Sequence, residues 1–327
     1  MHNTVPVIDL RPLIAGTDPE SVASRLREAC SGAGFFYVSG HVVDEGLQRR
    51  LEELGRAFFA MKLDEKMKIR MGLGGRAWRG YFPVGDELTS GKPDVKEGLY
   101  FGAELAEDHP HVRAGTALHG RNLFPEELPE FRAVVLGYIE AMTRLGHLVM
   151  SGIALSLGLE RTYFADGLLS DPLTLFRIFH YPPTPALAGG EPAWGVGEHT
   201  DYGVLTILKQ DDVGGLQVKS KGEWITAHPI PNTFVCNIGD MLDRMTGGFY
   251  RSTPHRVRNV NPVGRLSFPF FFDPGFDAVI RPIEFAGRPA IADDAAERWD
   301  RASVHAFEGT YGEYLLAKVS KVFPGLA

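Results

Sequence analysis

The chain has 327 residues, 44% of them apolar and 23% charged, which excludes a disordered or fibrous protein. Its 34 basic against 41 acidic side chains give a net charge of −7 with no basic block, so no nucleic-acid partner is expected. Two cysteines, Cys30 and Cys236, are too few for a disulfide scaffold and fit a reducing, cytoplasmic setting.

Met1 to Leu10 has neither a basic n-region nor an apolar h-region, so no secretory leader is expected. No uninterrupted apolar run reaches the roughly 18–20 residues of a membrane span, so no membrane partner is expected either. The first elements read strand, helix, strand, helix. Val5 to Leu10 is a short apolar run, and from Glu20 the positions Val22, Leu26, Ala29 and Cys30 recur at helical spacing. Phe35 to Val38 is aromatic and β-branched between glycines, the mark of a buried strand. An amphipathic helix follows on Leu47, Leu51, Leu54 and Phe58. Residues 64–125 are polar and turn-rich and read as a loop-heavy wrap with few regular elements. A long helix is predicted from near Pro129 to about Leu157, just before Gly158.

Beyond Phe176 the pattern changes to short apolar runs separated by turn residues: Val204 to Leu208, Leu216 to Val218, Phe234 to Ile238, Arg256 to Val260 and Leu266 to Phe272. Such spacing predicts a sandwich or jelly roll. A last helix is predicted over Val304 to Val319. The expected organisation is an N-terminal α/β wrap (1–125), supporting helices (126–170), a β core (171–280) and a C-terminal extension with a helix (281–327), all one compact unit.

The chemistry gathers in Glu198-His199-Thr200-Asp201-Tyr202-Gly203 and Thr253-Pro254-His255-Arg256-Val257. If His199 opens a strand, His199 and Asp201 share a face by period-two alternation. Two imidazoles and one carboxylate form the ligand set of non-haem Fe(II) oxygenases, which leaves three coordination positions open. A lone His-x-Asp has a plain alternative, a surface histidine beside a turn aspartate. Gly264-Arg265-Leu266-Ser267 adds weight, because Arg265 and Ser267 share a face of the next strand. An inward arginine suits a carboxylate co-substrate, since its planar fork gives a bidentate, charge-assisted pair. Its plain alternative is a partner carboxylate within the protein, or water.

With these pieces in hand, the sequence resembles the isopenicillin N synthase-like family of Fe(II)/2-oxoglutarate-dependent dioxygenases. The matching stretches are H-Y-P-P at 180–183, G-E-H-T-D-Y-G at 197–203, G-G-L-Q-V at 214–218 and W-I-T-A-H-P-I-P at 224–231. They continue with N-I-G-D at 237–240, S-T-P-H-R-V at 252–257 and R-L-S-F-P-F-F at 265–271, and V-P-V-I-D-L and G-F-F-Y-V-S-G-H match the family's first segment. The resemblance implies a mainly β fold, a double-stranded β-helix (jelly roll) flanked by helices. It implies His199, Asp201 and His255 as iron ligands, with Arg265, Ser267 and Tyr181 holding the distal carboxylate of 2-oxoglutarate. O2 and 2-oxoglutarate would be consumed, giving succinate and CO2, while an unactivated C–H of a small-molecule substrate is hydroxylated, desaturated or cyclised. Phe179 departs from the Asn that many members carry two residues before the tyrosine.

Phe271, Arg79, Tyr81 and Tyr100 are candidate pocket residues, within a rim at 76–101 that also carries Lys92 and Glu97. An oxidase that does without 2-oxoglutarate, in which Arg265 and Ser267 bind the substrate, stays open from the sequence. So does a non-catalytic jelly roll, while in a zinc hydrolase the Arg-x-Ser pair would have no role. Gly72 to Ala77 fits G-x-G-x-x-A but follows a charged stretch instead of a buried strand, so it is not read as a nucleotide site. His109 and His111 are expected to be solvent-exposed, His147 to be a core histidine and Cys236 to pack as a small hydrophobe.

Overall fold

The computed structural model describes residues 4–89, 92–183, 194–220, 222–258, 262–288, 295–298, 301 and 303–320. Its strands are β1 (Val7–Asp9), β2 (Phe35–Ser39), β3 (Gly80–Phe82), β4 (Leu88–Thr89), β5 (Lys92–Pro93), β6 (Glu97–Gly102) and β7 (Leu173–Tyr181). They continue as β8 (Trp194–His199), β9 (Leu205–Gln210), β10 (Leu216–Ser220), β11 (Glu223–Thr226), β12 (Phe234–Ile238), β13 (His255–Arg258) and β14 (Arg265–Asp273). The large sheet has the order β1-β2-β12-β9-β14-β7-β6-β3, and the small one β11-β10-β13-β8. Together they form a jelly roll. Residues 259 and 260 of the predicted Arg256 to Val260 run lie outside the described residues.

Alternation along the large sheet feeds two apolar cores. Phe36, Leu99, Phe101, Ile178, Phe268 and Phe270 point outward against the helices. Phe35, Tyr37, Phe82, Tyr100, Phe179 and Tyr181 point inward, where they meet Val196, Leu216, Val218 and Val257 of the small sheet. One strand therefore supplies both cores, because successive side chains leave opposite faces.

The helices brace the outward face. Asp18 caps Pro19–Ser31 by accepting the Ser21 N–H, and Asp44 caps Glu45–Phe59 through the Leu47 N–H. Phe131–Ser156 packs on both of these helices and buries Phe131, Val135, Tyr138, Met142, Leu145 and Val149 at helical spacing. By length and composition alone this helix is long and apolar enough to cross a membrane.

Three expectations are corrected. The 64–125 segment is not only a wrap: β3 and β6 extend the large sheet beyond β7, with Leu99 and Phe101 sealing its outer face. Glycines on either side of these short runs mask them in the sequence. The last helix spans Tyr311–Val319 only. Gly309 sits at φ +141° and Thr310 with Glu313 forms a capping box, which sets the helix start there. Finally, His199 ends β8 and does not open a strand, so the alternation argued from that premise does not apply.

Candidate active site

His199 and His255 lie opposite each other in the antiparallel β8–β13 pair, one at the end of its strand and the other at the start. Asp201 comes from the turn after β8, so strand alternation does not place it. Its backbone carbonyl accepts the Asp240 N–H at 2.8 Å. Its Oδ2 accepts Thr206 Oγ1–H at 2.6 Å and the Asn237 amide at 2.7 Å. Thr206 and Asn237 are cross-strand partners on β9 and β12, so two neighbouring strands grip one oxygen.

That grip leaves Oδ1 free, 3.8 Å from His199 Nε2 and 3.7 Å from His255 Nε2. Each imidazole donates from Nδ1 to the carbonyl two residues before it, Gly197 O at 2.8 Å and Thr253 O at 3.2 Å. The proton thus sits on Nδ1, and the Nε2 lone pairs turn toward Asp201. Among the described residues this is the group of three whose ligand atoms gather within 4.8 Å. Burial, and next the neighbouring His255, push the His199 imidazole down to about 4, which keeps it neutral near pH 7. Burial alone would raise Asp201, but the two imidazoles and its two hydrogen bonds outweigh burial and hold it below the usual carboxylate value. Two imidazoles and one carboxylate oxygen fit a divalent iron.

Arg265 is fully buried at the start of β14, in register with Tyr181 on β7. Its guanidinium lies 4.8 Å over the Tyr181 ring, and all three of its nitrogens lack a hydrogen-bond partner among the described residues. Asp211 is near, but its oxygens accept the Leu266 and Val213 N–H groups. The internal carboxylate partner that the sequence left open is therefore absent among the described residues. A buried cation in this state suits an anion supplied by a ligand. Ser267 and Tyr181 are buried beside it and line the central cavity.

That cavity, about 220 Å³, runs along the inward face of β7 and β14 past the His199–Asp201–His255 group. Phe271 and Tyr100 line it, and Phe179 gives an apolar wall where an Asn was the alternative. Arg79 and Tyr81 do not line it. Arg79 is buried against Gly102 and donates to Leu118 O at 2.8 Å, while Tyr81 donates to Glu97 Oε2 at 2.6 Å on the helix side of the sheet. The reason is register. Tyr81 pairs with Leu99, so its parity is opposite to that of Tyr100. Glu97 likewise joins Lys66 and His180, and the side chain of Lys92 lies outside the described residues.

The sequence reading missed Glu87, Lys96, Arg177, Asp273 and the Tyr311 helix, all of which reach the cavity. For Arg177 a signal existed, since it has the same parity as Tyr181 on one strand. His109 and His111 are half-buried rather than exposed and stack with His119, the 111–119 ring centroids being 4.3 Å apart.

Residues 172–274 match the 2OG-Fe(II) oxygenase superfamily, and residues 5–127 match the N-terminal region of the non-haem dioxygenase in morphine synthesis. A probable iron/ascorbate oxidoreductase of Dictyostelium discoideum is 51% identical over 98% of this chain and 95% of its own. The chain belongs to the 2OG-Fe(II) oxygenase superfamily, in its isopenicillin N synthase-like branch. A 1-aminocyclopropane-1-carboxylate oxidase of Dictyostelium mucoroides is 39% identical, covering 98% of this chain and 95% of that one. A full-length Neurospora crassa protein, solved in complex with alpha-KG and thymine, superposes with a TM-score of 0.79 at 27% identity, covering 98% and 97% of the two chains. This oxygenase is an Fe(II)- and 2-oxoglutarate-dependent oxidoreductase acting on small molecules.

Proposed function

We propose that His199, Asp201 and His255 hold the Fe(II), and that Arg265, helped by Ser267 and Tyr181, holds the distal carboxylate of 2-oxoglutarate. The observation that carries this reading is the buried Arg265 guanidinium without a partner, set on the same inward face as Ser267. When bound, the iron and 2-oxoglutarate supply oxidation of a C–H bond by O2, with succinate and CO2 as co-products. The protein's own groups position and exclude. Thr206 and Asn237 fix which oxygen of Asp201 is presented, and the Gly197 and Thr253 carbonyls fix the imidazole planes. Phe179, Tyr100 and Phe271 keep water from the substrate side and fix which C–H faces the metal.

A cavity of about 220 Å³ lies below the roughly 300–1,000 Å³ of drug-sized sites, which supports a small metabolite as substrate. Relatives named for an amino acid and a structural neighbour that holds thymine support the same size class. The buried free thiols Cys30 and Cys236 support a reducing, cytoplasmic setting. The test is an anaerobic titration of the Fe(II) protein with 2-oxoglutarate, following metal-to-ligand absorption. Saturable binding in wild type that is lost in Arg265→Leu supports the assignment; equal affinity in both proteins removes it.

A further inference from the structure

We propose that Arg177 is the residue that selects the primary substrate, by pairing with a carboxylate that this substrate carries; the inference rests on the cofactor placement above. Arg177 is the cross-strand partner of Tyr100, on β7, and it lines the cavity. Its guanidinium lies over two aromatic faces, 3.7 Å from the Tyr100 ring centroid and 5.0 Å from that of Phe271. It has no hydrogen bond and no carboxylate oxygen within 4 Å among the described residues. Two carboxylates stand nearby, beyond 4 Å, and each accepts a hydrogen bond from another side chain, although Asp273 Oδ1 accepts none. Glu87 accepts from the Tyr100 hydroxyl and pairs with Lys96 at 2.9 Å, and Asp273 Oδ2 accepts the Tyr311 hydroxyl at 2.6 Å.

Stacking on two rings fixes the plane of the guanidinium and leaves its N–H edge as the binding surface. That edge is a fork matched to a carboxylate. It is also distinct from the co-substrate clamp. Arg177 stands four residues from Tyr181 on one strand, about 13 Å at 3.3 Å per residue. This span exceeds the length of a five-carbon diacid, so one 2-oxoglutarate does not satisfy both arginines. The two arginines thus stand apart, Arg177 on the cavity wall and Arg265 beside Tyr181.

The experiment uses the full chain as wild type, Arg177→Gln and Arg177→Lys, loaded anaerobically with Fe(II) and 2-oxoglutarate. Calorimetry follows a panel of short aliphatic, amino-substituted and aromatic monocarboxylic acids, each beside its methyl ester. At least one acid should bind wild type and lose about 30-fold or more on esterification. Arg177→Gln should bind that acid about as weakly as wild type binds the ester, and Arg177→Lys should lie between them. Iron content and 2-oxoglutarate affinity should stay at wild-type values in both variants. Binding of no acid, equal binding of acid and ester, an unchanged acid affinity in Arg177→Gln, or a loss of 2-oxoglutarate in that variant would each overturn the assignment. A missing 2-oxoglutarate absorption band in all three proteins would instead fail the cofactor placement. The acid–ester comparison on the metal-free proteins would then still decide Arg177.

Discussion

His255 stands directly across the strand pair from His199, with ring centroids 4.2 Å apart, although more than fifty residues separate them in the chain. Both rings donate from Nδ1 to a carbonyl two residues back, so the pair is set before any metal arrives. His199→Ala or His255→Ala should therefore lower Fe(II) affinity by at least ~100-fold and abolish turnover, since losing a ligand costs more than losing a supporting contact. Metal content after dialysis, read by elemental analysis, checks this; wild-type iron in either variant would remove the ligand assignment.

Thr206→Val keeps the shape of the side chain and deletes its hydrogen bond to Asp201 Oδ2. The expected loss is about 10- to 100-fold in Fe(II) affinity, the usual range for contacts behind a ligand. Overall stability should change little. A metal titration with melting curves of the metal-free protein separates the two effects, and unchanged metal affinity would show that Asn237 alone orients the carboxylate.

Arg265 gives a prediction with two opposite signs. Arg265→Leu removes a buried cation that lacks a partner, so the ligand-free variant should melt no lower than wild type. The same change should weaken 2-oxoglutarate by on the order of 30- to 4,000-fold, the equivalent of about 2–5 kcal/mol. In melting experiments, 2-oxoglutarate with Fe(II) should raise the wild-type midpoint and leave that of the variant nearly unmoved. A variant that melts well below wild type would mean that Arg265 has a structural partner.

Asp273 sets a pH dependence. Burial pushes its carboxyl up from 3.8 to about 7. The folded state therefore binds more protons than the unfolded state between these values, and stability falls as pH rises through this window. Asp273→Asn keeps an acceptor for the Tyr311 hydroxyl and removes the titration. It should melt at least ~2 °C higher than wild type at pH 8, with the difference shrinking toward pH 5. Melting midpoints across that range check it; a constant difference would refute the shift.

Metal identity offers a further control. Zn(II) should occupy the site and raise the melting midpoint by mass action, yet support no turnover, because oxygen activation needs a redox-active metal. Product formed by a rigorously iron-free zinc form would contradict the assignment of Fe(II).

The sequence by itself determined what depends on local pattern. Composition and short apolar runs announced a β core, and the motifs around His199, His255 and Arg265 announced the oxygenase family. Period-two alternation along β14 correctly put Arg265, Ser267 and Phe271 on one face, since parity within a strand is a local property. Only the tertiary structure decided what depends on pairing between distant segments. Asp201 faces the histidines because β9 and β12 present Thr206 and Asn237 to it, and no rule of alternation reaches across a turn. Tyr81 left the cavity because its register against β6 turns it to the helix side, and Arg79 did so because it packs on Gly102 and reaches the Leu118 carbonyl. Above all, whether a charged side chain has a partner is a fact of three dimensions. Arg265 and Arg177 both stand in strands, and that neither guanidinium has a hydrogen bond among the described residues appeared only in the fold.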